Sequence, residues 1–202
     1  RQKIESLFGR LEQSFGAKPL IYRAGRYGAG PHTISVLREM GVRIDSSVRS
    51  LFDYSPQEGP DFKNCSLHPY WLTKGEVFEL PLTSVFAGML RANGQKLFGR
   101  AFESETARAF LARTKLLERI ALTPEGIPLN RAIEAIDIAL DMDLPVLNFS
   151  FHSPSLEPGH TPYVRNQADL DCFYAWWRGV FAHLQRRGVA ATTAQALIAS
   201  AS

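Results

Sequence analysis

Cysteine is scarce in this chain. Of 202 residues two are Cys, Cys65 and Cys172. They lie far apart with no metal-ligand spacing, so they read as ordinary thiols and a disulfide framework is excluded as the main stabiliser. Also lacking is any apolar run approaching the ~20 residues that a bilayer span requires, or a charged-then-apolar leader ahead of the first helical pattern. The expectation is a soluble chain with no transmembrane segment, the cytoplasm being the favoured compartment. Charge of one sign is lacking too: 23 Lys and Arg against 20 Asp and Glu leave +3. The basic residues are scattered without forming a block, which disfavours nucleic acid as a partner.

What is present is apolar material. A hydrophobic content of 45%, with 11% aromatic, is enough to bury a substantial core, and the expectation is one domain over residues 1–202. The chain opens on Arg1 and enters an amphipathic pattern at once, with Ile4, Leu7, Phe8, Leu11 and Phe15 on one face. So abrupt a start reads as the continuation of something longer.

Further along, Pro19 precedes a short strand, Leu20-Ile21-Tyr22. Gly30-Pro31 then opens a helix that Gly41 closes, and Val42-Arg43-Ile44 makes a strand ending at Asp45-Ser46-Ser47. Residues 49–75, rich in Pro, Gly, Asp and aromatics and without a period, predict a long loop, normally functional inside a compact domain. Glu76 to Thr83 alternates like a strand. Helices are predicted over 104–121 and 130–142, then a buried strand over Leu147 to Phe151. A long helix starts near Asn166, whose spacing to Asp169 resembles a capping box, and stops at Gly188. Val189 to Thr193 reads as a last strand before a helical tail. Strand and helix alternate, the pattern of an α/β barrel lacking its beginning.

Chemistry concentrates at strand ends. His152 closes the run Leu147-Asn148-Phe149-Ser150-Phe151 and precedes a Ser/Pro-rich loop. An imidazole at the mouth of a strand is placed to act as a general acid or base; the competing reading is a histidine satisfied within the fold. Asp45 can be a site carboxylate or the cap of a turn. Arg23 can be functional or paired with a surface carboxylate. His68, Tyr70 and Trp71 lie in the long loop, where aromatics either stack on sugar rings or anchor the loop. Trp176 and Trp177 read as packing residues, and His160, in a Pro/Gly-rich turn, as a possible lining of a cleft. The glycines of 25–30 match no dinucleotide or phosphate-loop fingerprint. A glycosidase needs two opposed carboxylates, and Asp45 alone has a convincing position, since Glu76 and Glu79 flank a strand in an orientation the sequence leaves open.

Three stretches together, Tyr22-Arg23-Ala24-Gly25-Arg26-Tyr27-Gly28, Arg43-Ile44-Asp45-Ser46-Ser47-Val48, and Leu147 to Leu156 followed by Glu157-Pro158-Gly159-His160-Thr161-Pro162-Tyr163, resemble the polysaccharide deacetylases of the NodB-homology type, carbohydrate esterase family 4. The resemblance spans most of the chain. It implies a deformed (β/α) barrel, incomplete at its N-terminus, that removes N- or O-acetyl groups from a polysaccharide or oligosaccharide with the help of a divalent metal, usually zinc, held by one Asp and two His. By this resemblance His152 is the acid that protonates the leaving group, and Asp45 hydrogen-bonds that histidine. Arg23 orients the catalytic Asp, with Arg26 competing for the role. The backbone near Tyr27 helps form the oxyanion site, and Leu147 and Phe151 wall the acetyl pocket. The family's Asp-Asp and His-x-x-x-His motifs do not occur here. His32, His68, His160 and His183 do not replace them, so metal ligands are expected upstream of residue 1. The alternative is a non-catalytic carbohydrate-binding or scaffold domain derived from such an enzyme.

Overall fold

A computed structural model describes residues 1–101 and 105–201. The chain forms two compact units, one of residues 1–81 and 191–202, the other of 82–190. Among the described residues no helix is long and apolar enough to cross a membrane.

The first unit begins with α1 (Gln2–Phe15), which ends where Gly16 turns left-handed at φ 69°, a conformation glycine adopts without steric cost. Phe8 from its apolar face joins Leu37 and Val42 in a core flanked by Ile4, Tyr22, Ile34 and Met40. Leu7 and Phe15 of the same face stay exposed. The sheet of this unit is built from β1 (Ile21–Tyr22), β2 (Ile44–Asp45), β3 (Tyr70–Thr73) and β4 (Val77–Glu79), with α2 (Pro31–Glu39) between β1 and β2 in the chain. The strand order is β1-β2-β4-β3; β1, β2 and β4 run parallel, and β3 runs antiparallel to β4. The predicted 49–75 loop therefore stops short: its last residues return as β3 through a turn at Gly75, φ 75°. The pairing that makes Tyr70–Thr73 a strand is contributed by β4 and lies outside any local window.

The second unit carries β5 (Ser84–Ala87), α3 (Gly94–Ala101), α4 (Glu105–Arg113), β6 (Glu118–Ala121), α5 (Leu129–Asp141) and α6 (Gln167–Arg186). β5 and β6 form an antiparallel pair, and α5 packs on both strands and on α6. The inward face of α5 is small and branched, with Ala132, Ala135, Ile136, Ile138 and Ala139 buried. Such a face lets the helix lie close to the strands. Gly179 serves α6 similarly, since a Cβ there would meet Leu129 Cδ2 at 2.4 Å. Helix α7 (Ala194–Ala201) completes the first unit.

Four helices end in one hydrogen-bond pattern, a paired closure around a left-handed residue. Val42 N–H bonds Leu37 O and Gly41 N–H bonds Arg38 O after α2; Val189 and Gly188 repeat this after α6. Leu116 and Lys115 close α4, and Leu144 and Asp143 close α5, in the same manner. At Gly41 and Gly188 the turning residue is glycine; at Lys115 and Asp143, both at φ 55°, it is not. The predicted helix over 104–121 runs through this second kind of stop. The structure ends α4 at Arg113 and makes Glu118–Ala121 a strand, while residue 104 lies outside the described residues.

Two predicted strands also change. Residues 147–151 are an extended segment without strand assignment, half-buried up to Ser150. It is held by Thr83 N–H to Asn148 O at 3.0 Å, Asn148 N–H to Thr83 Oγ1 at 2.8 Å and Ser150 N–H to Leu122 O at 3.1 Å, bonds too few and too irregular for a ladder. Residues 189–193 are irregular and lead into α7.

The start of α6 is capped as predicted: the Asn166 side chain accepts from Asp169 N–H at 3.0 Å. Replacing Asn166 with Ala should lower stability by about 1 kcal/mol, read as a shift of the urea midpoint with an unchanged slope.

Candidate functional site

Because β1, β2 and β4 are parallel, their C-terminal ends share one edge of the sheet, the edge at which α/β folds present polar side chains. The register aligns Tyr22 with Asp45, Asp45 with Glu79, and Glu79 with Tyr70. Residues opposite one another on a ladder share a face, so the four side chains form a row across the sheet. Asp45 and Glu79 in its middle are each 1% exposed. Ser47 Oγ donates to Asp45 Oδ1 at 2.5 Å, and Val48 N–H donates to Glu79 Oε1 at 2.9 Å. Glu79 Oε2 is buried with no hydrogen-bond partner.

Two neighbouring carboxyls in a dry interior cannot both ionise cheaply. Burial, reinforced by the charge on Asp45, pushes Glu79 up to about 8. Burial also raises Asp45, against the hydrogen bonds it receives from Ser47 and Ser46. At neutral pH the pair therefore keeps one proton, held by Glu79. Burial and the nearby carboxylates raise the phenols at both ends of the row, Tyr22 beside Asp45 and Tyr70 beside Glu79.

The Asp45-Ser46-Ser47 run ties three strand ends together. Ser46 N–H bonds Tyr22 O at 2.8 Å, and Leu80 N–H bonds Asp45 O at 2.7 Å. Ser46 Oγ donates to Leu80 O at 2.9 Å and accepts from Arg23 Nη2 at 3.1 Å, and Ser47 Oγ accepts from Ala24 N–H at 2.9 Å. Arg23 Nε also reaches Ser46 O at 3.2 Å. Asp45 thus sits in a strand and caps no helix. Tyr27 follows on a single turn of 3-10 helix (Gly25–Tyr27) and stacks on Tyr54 with ring centres 4.9 Å apart. The side chain of Arg26 lies outside the described residues. Trp71, on β3, sets its ring edge against Phe78 at 5.6 Å, the anchoring role; His68 is exposed beside Ser66, whose Oγ accepts its backbone N–H at 3.0 Å.

The second unit holds His152. Its carboxylate partner is Glu125, which sits in the loop between β6 and α5: Nδ1 lies 2.7 Å from Glu125 Oε2. Glu125 Oε1 accepts from His152 N–H at 2.9 Å and from Ser155 Oγ at 2.7 Å. Ser155 Oγ is 3.0 Å from Thr161 Oγ1, and the imidazole stacks near-parallel to Tyr163. The Glu125 side chain is 6% exposed and the His152 side chain 68%. A buried carboxylate thus holds an open imidazole by Nδ1, leaving Nε2 to face outward.

Phe151 is 38% exposed and meets Phe173 and Trp177 edge-on, while Leu147 is half-buried. His160 is exposed, 3.7 Å from Glu157. Among the described residues no group of three or more His, Cys, Asp or Glu side chains is placed to hold a metal ion, so these residues do not by themselves fit a metal centre.

Arg49 and Glu125 leave no sign in the sequence of the contacts they make, and the orientation of Glu79, open in the sequence, is fixed by the register with Asp45. Glu79 leaves a trace, a lone carboxylate inside the apolar run Val77-Phe78-Glu79-Leu80-Pro81-Leu82. Glu125 leaves none, since its partner lies 27 residues away.

A carboxyl raised from 4.5 to about 8 on folding binds its proton more tightly in the folded chain than in the unfolded one. Stability is then greatest below the unfolded value and falls as pH rises through the window from 4.5 to about 8. Denaturant melts across that window should show a loss of a few kcal/mol, and Glu79→Gln, which keeps a neutral side chain at every pH, should flatten it. A slope unchanged in that variant would contradict the shared proton. No family model, curated protein or solved structure matches the chain, and the geometry of the two sites carries the functional reading.

Proposed function

We propose that the chain belongs to a carbohydrate deacetylase, a metal-dependent hydrolase of the deformed (β/α)-barrel type, in which His152 is the general acid and the metal ligands lie upstream of Arg1. The observation that carries the proposal is the Glu125–His152 pair. Its carboxylate is buried and receives three hydrogen bonds, its imidazole is open, and the free nitrogen points away from the partner. Three hydrogen bonds on one carboxylate fix its position, so that it orients the ring.

Hydrolysis of an acetamide begins with addition of water oxygen to the acetyl carbon. The tetrahedral adduct collapses by breaking the carbon–nitrogen bond, and the departing nitrogen must take up a proton. His152, protonated on both nitrogens, delivers the Nε2 proton and remains as the Nδ1–H imidazole bonded to Glu125. The products are acetate and a free amine; with an ester the leaving group is an alcohol and the proton follows the same route. Activation of the water is assigned to groups outside the described residues. Arg23 and Tyr27 remain part of the proposal as site residues from the resemblance, with the sugar polymer as substrate; the histidine-holding role that the resemblance gives Asp45 is filled by Glu125, while Asp45 is buried and bonded by Ser47. A glycosidase is not supported, because Asp45 and Glu79 are buried side by side and leave no room for a sugar between them.

The experiment is acetate release from an N-acetylated oligosaccharide by the protein extended upstream of Arg1. His152→Ala should cut turnover by ~10² to 10⁴, and Glu125→Gln by a smaller factor of ~10 to 10², with folding unchanged by circular dichroism. Normal turnover in His152→Ala would overturn the acid assignment. Binding of the oligosaccharide without acetate release would instead favour the carbohydrate-binding alternative.

A further inference from the structure

Arg49 is the one cation of the 49–62 loop, and no ion pair engages it among the described residues. It follows Ser47 and Val48 at the end of β2, and its guanidinium lies over the Phe52 ring at 4.0 Å and beside Tyr27 at 5.8 Å. Nη1 donates to Tyr54 OH at 3.2 Å and approaches Tyr27 OH at 3.4 Å. Nε is buried without a hydrogen-bond partner. The two aspartates of the same loop go to Lys63 instead, Asp53 at 3.0 Å and Asp61 at 3.2 Å. The other negative charge at this edge, shared by Asp45 and Glu79, acts on Arg23. Half-buried cations are ordinarily paired, so a guanidinium held by rings and phenols but left without an anion is a preformed receptor.

The backbone supports this reading. Tyr27 and Leu51, one touching Arg49 and the other two residues beyond it, both adopt left-handed backbone, at φ 59° and 71°. For bulky side chains that conformation costs about 1–3 kcal/mol apiece and clusters at ligand sites. The stacking of Tyr54 with Tyr27 at 4.9 Å and with Phe52 at 6.0 Å holds in place the rings and phenols that contact the fork.

We propose that Arg49, framed by Tyr27, Tyr54 and Phe52, binds the carboxylate or phosphate group of a ligand. An oxygen of the anion accepts from Nη2, the unbonded nitrogen that stays open, with Nε buried beside it. The anion site itself stands on the first unit alone. Its assignment to an acidic sugar polymer rests on the deacetylase reading and makes the substrate a uronate-bearing or phosphate-bearing polysaccharide.

The test is calorimetric titration of the 202-residue chain with glucuronate, glucose 6-phosphate, inorganic phosphate and glucose. The expected result is binding of anions and none of glucose, weakened ~10- to 100-fold in Arg49→Met and less in Arg49→Lys. Glucuronate alone points to a carboxylate source; both phosphates, to a phosphate source. Should Arg49→Met fail to fold, phenylglyoxal modification of Arg49 in the unaltered chain, read by peptide mass, supplies the result. Protection by the anions and not by glucose supports the site. Absence of anion binding, binding unaffected by Arg49→Met, or no protection overturns it. Anion binding at Arg49 by a protein that releases no acetate keeps the site and removes the deacetylase reading; acetate release without anion binding does the reverse.

Discussion

The first unit depends on the parallel register that sets Asp45 beside Glu79. Side chains alternate faces along a strand, so a slip of β2 by one residue would carry Asp45 to the face opposite Glu79 and the two tyrosines. The register is held by contacts that only this alignment permits. Ser46 spans from the Tyr22 carbonyl to the Leu80 carbonyl, and Ser47 joins Ala24 to Asp45. The interior thus accepts two acids because one keeps its proton and the other is surrounded by donors. Burial would otherwise cost several kcal/mol per charge. The same bonds hold Arg23 at the end of β1, and Tyr27 and Arg49 follow β1 and β2 close by in the chain.

The second unit applies a related constraint to a different end. The Glu125 side chain is buried, and its oxygens are satisfied by the backbone and ring of His152 and by the Ser155 hydroxyl. These bonds fix the turn of residues 153–156 as well as the imidazole, so the loop after His152 is built around one carboxylate. Side-chain exposure separates the two partners, 6% for Glu125 against 68% for His152: the anchor is dry and the reactive group is wet. That division suits a proton donor, which needs a fixed orientation and an open path.

Much of this is written locally in the sequence and some is not. α1, α2, α5 and α6 are legible because their apolar spacing and their Gly41, Gly188 and Asn166 signals are local. α4 is overrun because its stop is Lys115 in a left-handed conformation, which no glycine announces. β3 is hidden in an aromatic loop because its strand character comes from β4. Among site residues, His152 and Asp45 are marked by their places after short apolar runs. Glu125 and Arg49 acquire meaning through partners far away or through stacked rings, and neither leaves a spacing that a sequence reader can count. Trp71, open between sugar stacking and anchoring, is placed by its contact with Phe78.

Glu125 holds His152 by Nδ1, which in the proposed reaction puts the transferable proton on Nε2. Long-range proton–nitrogen NMR of the neutral imidazole tests this most directly, since the two tautomers give distinct nitrogen shifts. The account predicts His152 as the Nδ1–H tautomer, with that preference lost in Glu125→Ala. A neutral His152 carrying its proton on Nε2, or a tautomer indifferent to Glu125, would contradict it.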